Sequence, residues 1–129
     1  MTDFRALLRL LAQASVEFVI VGGAAATAHG SARLTEDLDI VYRRTPGNVS
    51  RLVHTLAPHE PYLRGAPPGL PFRWDEQTIQ NGLNFTLTTT LGALDLLGEI
   101  TGGGGYEDLL PHSIRLHLYG VECCCLGLK

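Results

Sequence analysis

Three aspartates, Asp37, Asp39 and Asp95, and one glycine pair, Gly22-Gly23, are the residues of this chain whose types and spacing suit chemistry. Residues two apart on a strand share a face, so Asp37 and Asp39 present their carboxylates side by side. Leu38, Ile40 and Tyr42 then face the other way. Neighbouring carboxylates repel and raise each other's pKa, which makes a divalent cation their natural neutraliser. Mg2+ (or Mn2+) suits such a pair, because a hard cation takes oxygen ligands, uses one or two carboxylates, and leaves the rest of its shell to substrate phosphates. The ordinary alternative is that Asp37 and Asp39 are solvated charges on an edge strand.

Upstream, Phe18-Val19-Ile20-Val21 reads as a buried strand running into Gly22-Gly23. The helix-forming run Ala24 to His29 follows, so the glycines are expected at a helix N-terminus, where free backbone N–H groups attract anions. A plain strand-end turn is the bland reading of the same two glycines. Downstream, Leu83 to Thr90 is rich in β-formers, Leu91-Gly92 is a turn signal, and Ala93 to Leu97 is a second apolar strand. Asp95 is the single charge in that strand. A carboxylate flanked by leucines is costly unless it is paired, liganded or turned to a cleft; a strand-end Asp facing water is the alternative. If the strand of Asp95 lies beside that of Asp37 and Asp39, three carboxylates converge on one sheet face, enough to hold two metal ions.

The run Val21-Gly22-Gly23, then Asp37-Leu38-Asp39-Ile40, then Leu94-Asp95-Leu96, resembles the nucleotidyltransferase superfamily of DNA polymerase beta. Within it, Gly22 to Ala26, His29-Gly30, Arg33, Thr35 and Asp37-Leu38-Asp39 look most like small bacterial nucleotidyltransferases of the abortive-infection toxin type. The resemblance is dense from Phe18 to Tyr42, thinner through Asp95, and loose over most of the remaining chain. It implies an α/β (α+β) fold, a mixed sheet flanked by helices, in one nucleotidyltransferase-like domain over 1–129. It also implies that Asp37 and Asp39 bind the metals gripping an NTP triphosphate, that Gly22 and Gly23 hold phosphate through backbone amides, and that Asp95 completes the metal site and activates an acceptor hydroxyl. The acceptor is a protein, RNA or small molecule, and a toxin of this kind is held by an antitoxin partner. Arg33 either meets nucleotide phosphates with its guanidinium fork or pairs with Asp37 or Glu36. His29 reads better as a helix-capping histidine than as a chemical group.

One departure from the family pattern stands out. Members continue past the last strand into basic helices that help form the substrate cleft, whereas this sequence stops at Leu126-Gly127-Leu128-Lys129. The expectation is a domain lacking those helices, and a catalytically silent nucleotide-binding or partner-binding module stands as the alternative to an active enzyme.

Composition agrees with one globular domain: 129 residues, 45% hydrophobic and 18% charged. A formal charge of −3 supplies no global basic field for nucleic acid. Arg43-Arg44, Arg51, Arg64 and Arg73 form either a small basic rim near the site or scattered surface charges. Asp3 to Ala14 reads as an amphipathic helix with Phe4, Leu7, Leu8 and Leu11 on one face, not as a targeting segment. No run is long enough to span a bilayer, and a cytoplasmic location is expected. Cys123-Cys124-Cys125 point to alternate faces as core and edge thiols, without the spacing of a zinc site.

The remaining elements follow from period and punctuation. Pro46 to Leu56 reads as a helix, His59 to Gly69 as a proline- and glycine-rich loop, Glu76 to Gln80 as a helical turn, and Tyr106 to Leu110 as another. Ile114 to Leu126 is a closing hairpin turning at Tyr119-Gly120. Thr101 to Gly105 lacks the Walker pattern and reads as a flexible connection, or as a mobile loop over a bound acceptor.

Overall fold

The structure is a computed structural model that describes residues 2–22 and 37–126. Helix α1 (Phe4–Gln13) begins where the Asp3 carboxylate accepts a hydrogen bond from the Ala6 amide, and its Leu7, Leu8 and Leu11 are buried as one stripe. Strand β1 (Phe18–Val21) follows, buried along its whole length. Strand β2 (Asp37–Tyr42) leads into α2 (Pro46–Leu56), where Pro46 sits at the helix start and Val49, Leu52, Val53 and Leu56 point inward. A 3-10 turn (Ala57–His59) connects to a two-residue strand β3 (Tyr62–Leu63). Helix α3 (Glu76–Asn81) precedes the hairpin of β4 (Phe85–Thr89) and β5 (Gly92–Leu97). The short strands β6 (Glu99–Ile100) and β7 (Gly104–Gly105) lead into α4 (Tyr106–Leu109), a second 3-10 turn, and the hairpin of β8 (Ser113–Leu118) and β9 (Val121–Leu126).

Among the described residues, seven strands form one mixed sheet in the order β3-β4-β5-β2-β1-β9-β8, a mixed α/β architecture as the sequence suggested. β2 runs parallel to β5 and β1 parallel to β9, while the other pairs are antiparallel. A strand pair of parallel sense needs a crossover, and the segment from α2 through β4 supplies it between β2 and β5.

Alternation sorts the side chains onto two faces. Phe18, Ile20, Leu38, Ile40, Leu94, Leu96, Cys123 and Cys125 join the leucines of α1 and α2 in the main core. Val19, Val21 and Val41 lie on the opposite face under Tyr106 and Leu109 of α4, with Cys124 packed against them. The expected alternation of the three cysteines is therefore observed, and burial pushes the thiols of Cys123 and Cys125 up to about 11.

Two expectations need correction. Tyr62–Leu63, read as loop, is the edge strand β3, paired with Thr88 and Leu87. Two residues carry too little pattern to announce a strand, and the pairing itself makes it one. The run Thr101 to Gly105, read as a flexible connection or a mobile loop, ends in a short ladder: Ile100 opposes Gly104 and Glu99 opposes Gly105. The helix read over Ala24 to His29 lies outside the described residues. Among the described residues no helix is long and apolar enough to cross a membrane.

Candidate metal centre

Register brings the acids together. Asp39 stands opposite Asp95 across the parallel β2–β5 pair, and opposite Val21 across β1–β2. Thr86 stands opposite Asp95 on the other side, and the Arg64 amide donates to the Thr86 carbonyl at 2.9 Å, extending β3 by one residue. Arg64, Thr86, Asp95, Asp39 and Val21 thus form one row across five strands. Residues in register across a sheet share a face, so the row points to the side away from the main core. Asp37 joins it from two residues away on β2. The conditional in the sequence reading is met: the strand of Asp95 does lie beside that of Asp37 and Asp39.

Each of the three aspartates offers a carboxylate oxygen, and these oxygens lie within 4.8 Å of one another. Gly22 closes the cluster from β1. Its φ of +70° is a left-handed conformation that glycine adopts without strain, and a Cβ there would collide with the Asp39 Oδ2 oxygen. The Asp39 carboxylate therefore lies directly against the Gly22 backbone. Gly23 and Arg33, expected to help hold phosphate, lie outside the described residues, as do His29 and Thr35.

Sequence reasoning placed Arg64 either in a small basic rim near the site or among scattered surface charges, and did not name it as a partner of the acids. Its Nη2 donates to Asp95 Oδ1 at 2.7 Å and to the Leu87 carbonyl at 2.6 Å, and its Nη1 stands 3.7 Å from Asp37 Oδ2. The signal was weak, because Arg64 reaches the acids only through an edge strand of two residues. Arg43, Arg44 and Arg51, of the same rim, serve the fold. Arg43 pairs with Glu17 and Glu107, Arg51 with Glu17, and Arg44 donates to the Tyr42 hydroxyl and the Gln80 carbonyl.

Among the described residues, the Arg64 guanidinium is the one that faces the three carboxylates. Burial, then the charge of Asp95 and a hydrogen bond with it, then the charge of Asp37, push the Asp39 carboxyl up from 3.8 to about 7, while Arg64 works in the opposite direction. Asp39 Oδ1 is buried without a hydrogen-bond partner among the described residues. A buried oxygen in that state is costly, and a ligated cation would satisfy it. The donor set is all carboxylate oxygen, which fits a hard divalent ion and not a thiophilic one.

No protein-family model matches the chain, and no curated protein matches it.

Proposed function

We propose that this chain is a metal-dependent nucleotidyltransferase with the nucleotidyltransferase-like fold, transferring a nucleoside monophosphate from an NTP to a protein, RNA or small-molecule acceptor. The observation that carries the reading is the meeting of Asp37, Asp39 and Asp95 oxygens within 4.8 Å, beside a glycine whose backbone leaves room for little else. The order of these residues along the chain, glycine turn, Asp-x-Asp strand and later Asp strand, adds the resemblance already described.

In this reading Asp37, Asp39 and Asp95 hold Mg2+ or Mn2+. When bound, such cations neutralise charge on the attacking and departing oxygens of an in-line displacement. The chain's own residues do the rest. Gly22 lets the chain pass close to Asp39 and, with Gly23, offers backbone amides to the phosphates. Asp95 accepts the proton of the acceptor hydroxyl as its oxygen bonds to the α-phosphorus, and the bond from that phosphorus to the β-phosphate oxygen breaks to release pyrophosphate. A role as a toxin restrained by an antitoxin belongs to the same proposal.

A second reading, a module of this fold that binds nucleotide or a partner without chemistry, is favoured by one observation: Asp95 Oδ1 is already engaged by Arg64. The deciding experiment incubates the protein with Mg2+, each radiolabelled NTP and cell extract, beside Asp39→Ala. Label transfer that falls at least about 100-fold in the variant supports the enzyme. Nucleotide binding without transfer supports the silent module, and no nucleotide binding by either form removes both.

A further inference from the structure

We propose that Arg64 is a positioning residue that divides the acidic cluster into two unequal cation sites, an inference that rests on the metal-dependent reading above. Its guanidinium lies along the Asp37–Asp95 edge of the cluster, 2.7 Å from Asp95 Oδ1 and 3.7 Å from Asp37 Oδ2. The backbone holds it there: the Arg64 amide pairs with Thr86, and Nη2 also donates to the Leu87 carbonyl. A fixed positive group on one edge repels any cation drawn to that edge and takes up an Asp95 oxygen that such a cation would need.

The Asp39 side is different. Asp39 Oδ1 is buried and has no hydrogen-bond partner among the described residues, so it gains most from ligation. The first divalent cation therefore enters against Asp39, and Arg64 withholds Asp95 from it. The pose also leaves Arg64 Nε buried without an acceptor among the described residues. The guanidinium is thus poorly matched except by the carboxylates and one carbonyl, and it yields when a second cation arrives with the phosphates of the nucleotide. Arg64 in this way delays the completion of the site until substrate is present.

The test is a Mn2+ titration in the absence of nucleotide, following free Mn2+ by electron paramagnetic resonance, on the wild type, Arg64→Gln and Arg64→Lys. The wild type should take one ion strongly and a second at least about tenfold more weakly. Arg64→Gln should tighten the second ion by about tenfold or more, because one repelling charge is gone. Arg64→Lys keeps that charge and should keep the wild-type pattern, whereas a purely structural arginine would weaken binding in both variants. Circular dichroism checks that the variants fold. If Arg64→Gln does not, the Nε proton resonance of Arg64 in the unaltered protein decides: it should move with the second ion, and movement complete with the first overturns the assignment. Two equally strong ions in the wild type, or unchanged binding in a folded Arg64→Gln, also overturn it and leave the metal reading standing. No Mn2+ binding by the wild type removes both.

Discussion

Asp39 is the residue on which the electrostatics of the site turn. With its carboxyl raised from 3.8 to about 7, the folded chain holds a proton there that the unfolded chain releases near pH 4. The unfolded state binds fewer protons in that interval, so ionising Asp39 costs stability as pH rises from about 4 to about 7. Melting temperatures of the metal-free protein should fall more steeply across this range than those of Asp39→Asn; parallel curves would contradict the assignment. Mg2+ binds the ionised carboxylate, so the Tm gain on adding Mg2+ should be small below pH 6 and grow toward pH 8. Gly22 supplies a second residue-scale prediction. In Gly22→Ala the methyl meets the Asp39 carboxylate at a φ of +70°. Stability measured by urea unfolding should drop by about 1–3 kcal/mol, with Mn2+ affinity lost alongside. A variant that binds Mn2+ like the wild type would show that Asp39 does not need its present place.

Among the elements, the β1–β2–α2 junction sets where the acidic strand lies. Asn48 on α2 is fully buried, accepts from the Glu17 amide at 2.6 Å, and donates to the carbonyls of Glu17 and Arg43. It closes the entry to β1 and the exit from β2 with one side chain. Asn48→Leu removes the partner of the Glu17 amide and of the Arg43 carbonyl, while the Glu17 carbonyl keeps the Arg43 amide at 3.1 Å, and should cost roughly 1–3 kcal/mol by denaturant titration. A loss below 0.5 kcal/mol, roughly the scale of a neutral surface change, would mean that water replaces all three bonds. The helix over Pro46–Leu56 and the strands over Phe18–Val21 and Asp37–Tyr42 were legible because period and punctuation agree there. β3 was not. Its two residues are extended because β4 offers them a ladder, and no local preference records that offer.

At the level of the whole molecule, the sheet separates packing from chemistry by face. α1 and α2 bury the even-numbered residues of β2 and β5, while the odd-numbered Asp37, Asp39 and Asp95 stand on the other side. Core and site are therefore coupled through the pleat: a residue cannot slip in register without exchanging acids for leucines. Leu94 is fully buried next to Asp95. Leu94→Ala should destabilise the fold by about 2–5 kcal/mol and, by loosening β5 against β2, weaken Mn2+ binding in the folded protein. Unchanged Mn2+ affinity would show that the acids are held independently of the core beneath them.

The chain's own letters determined the kinds of chemistry available and the local pairing of groups. Asp37 and Asp39 share a face because a strand repeats every two residues, and Gly22 follows an apolar strand; both are properties of adjacent positions. Tertiary structure alone decided that Asp95 stands opposite Asp39, that Asp39 presses on Gly22, and that Arg64 closes one side of the acidic cluster. Those contacts join segments far apart in sequence, and their register is selected by how the two sheet faces bury their leucines and valines, a collective choice that no single stretch of residues encodes.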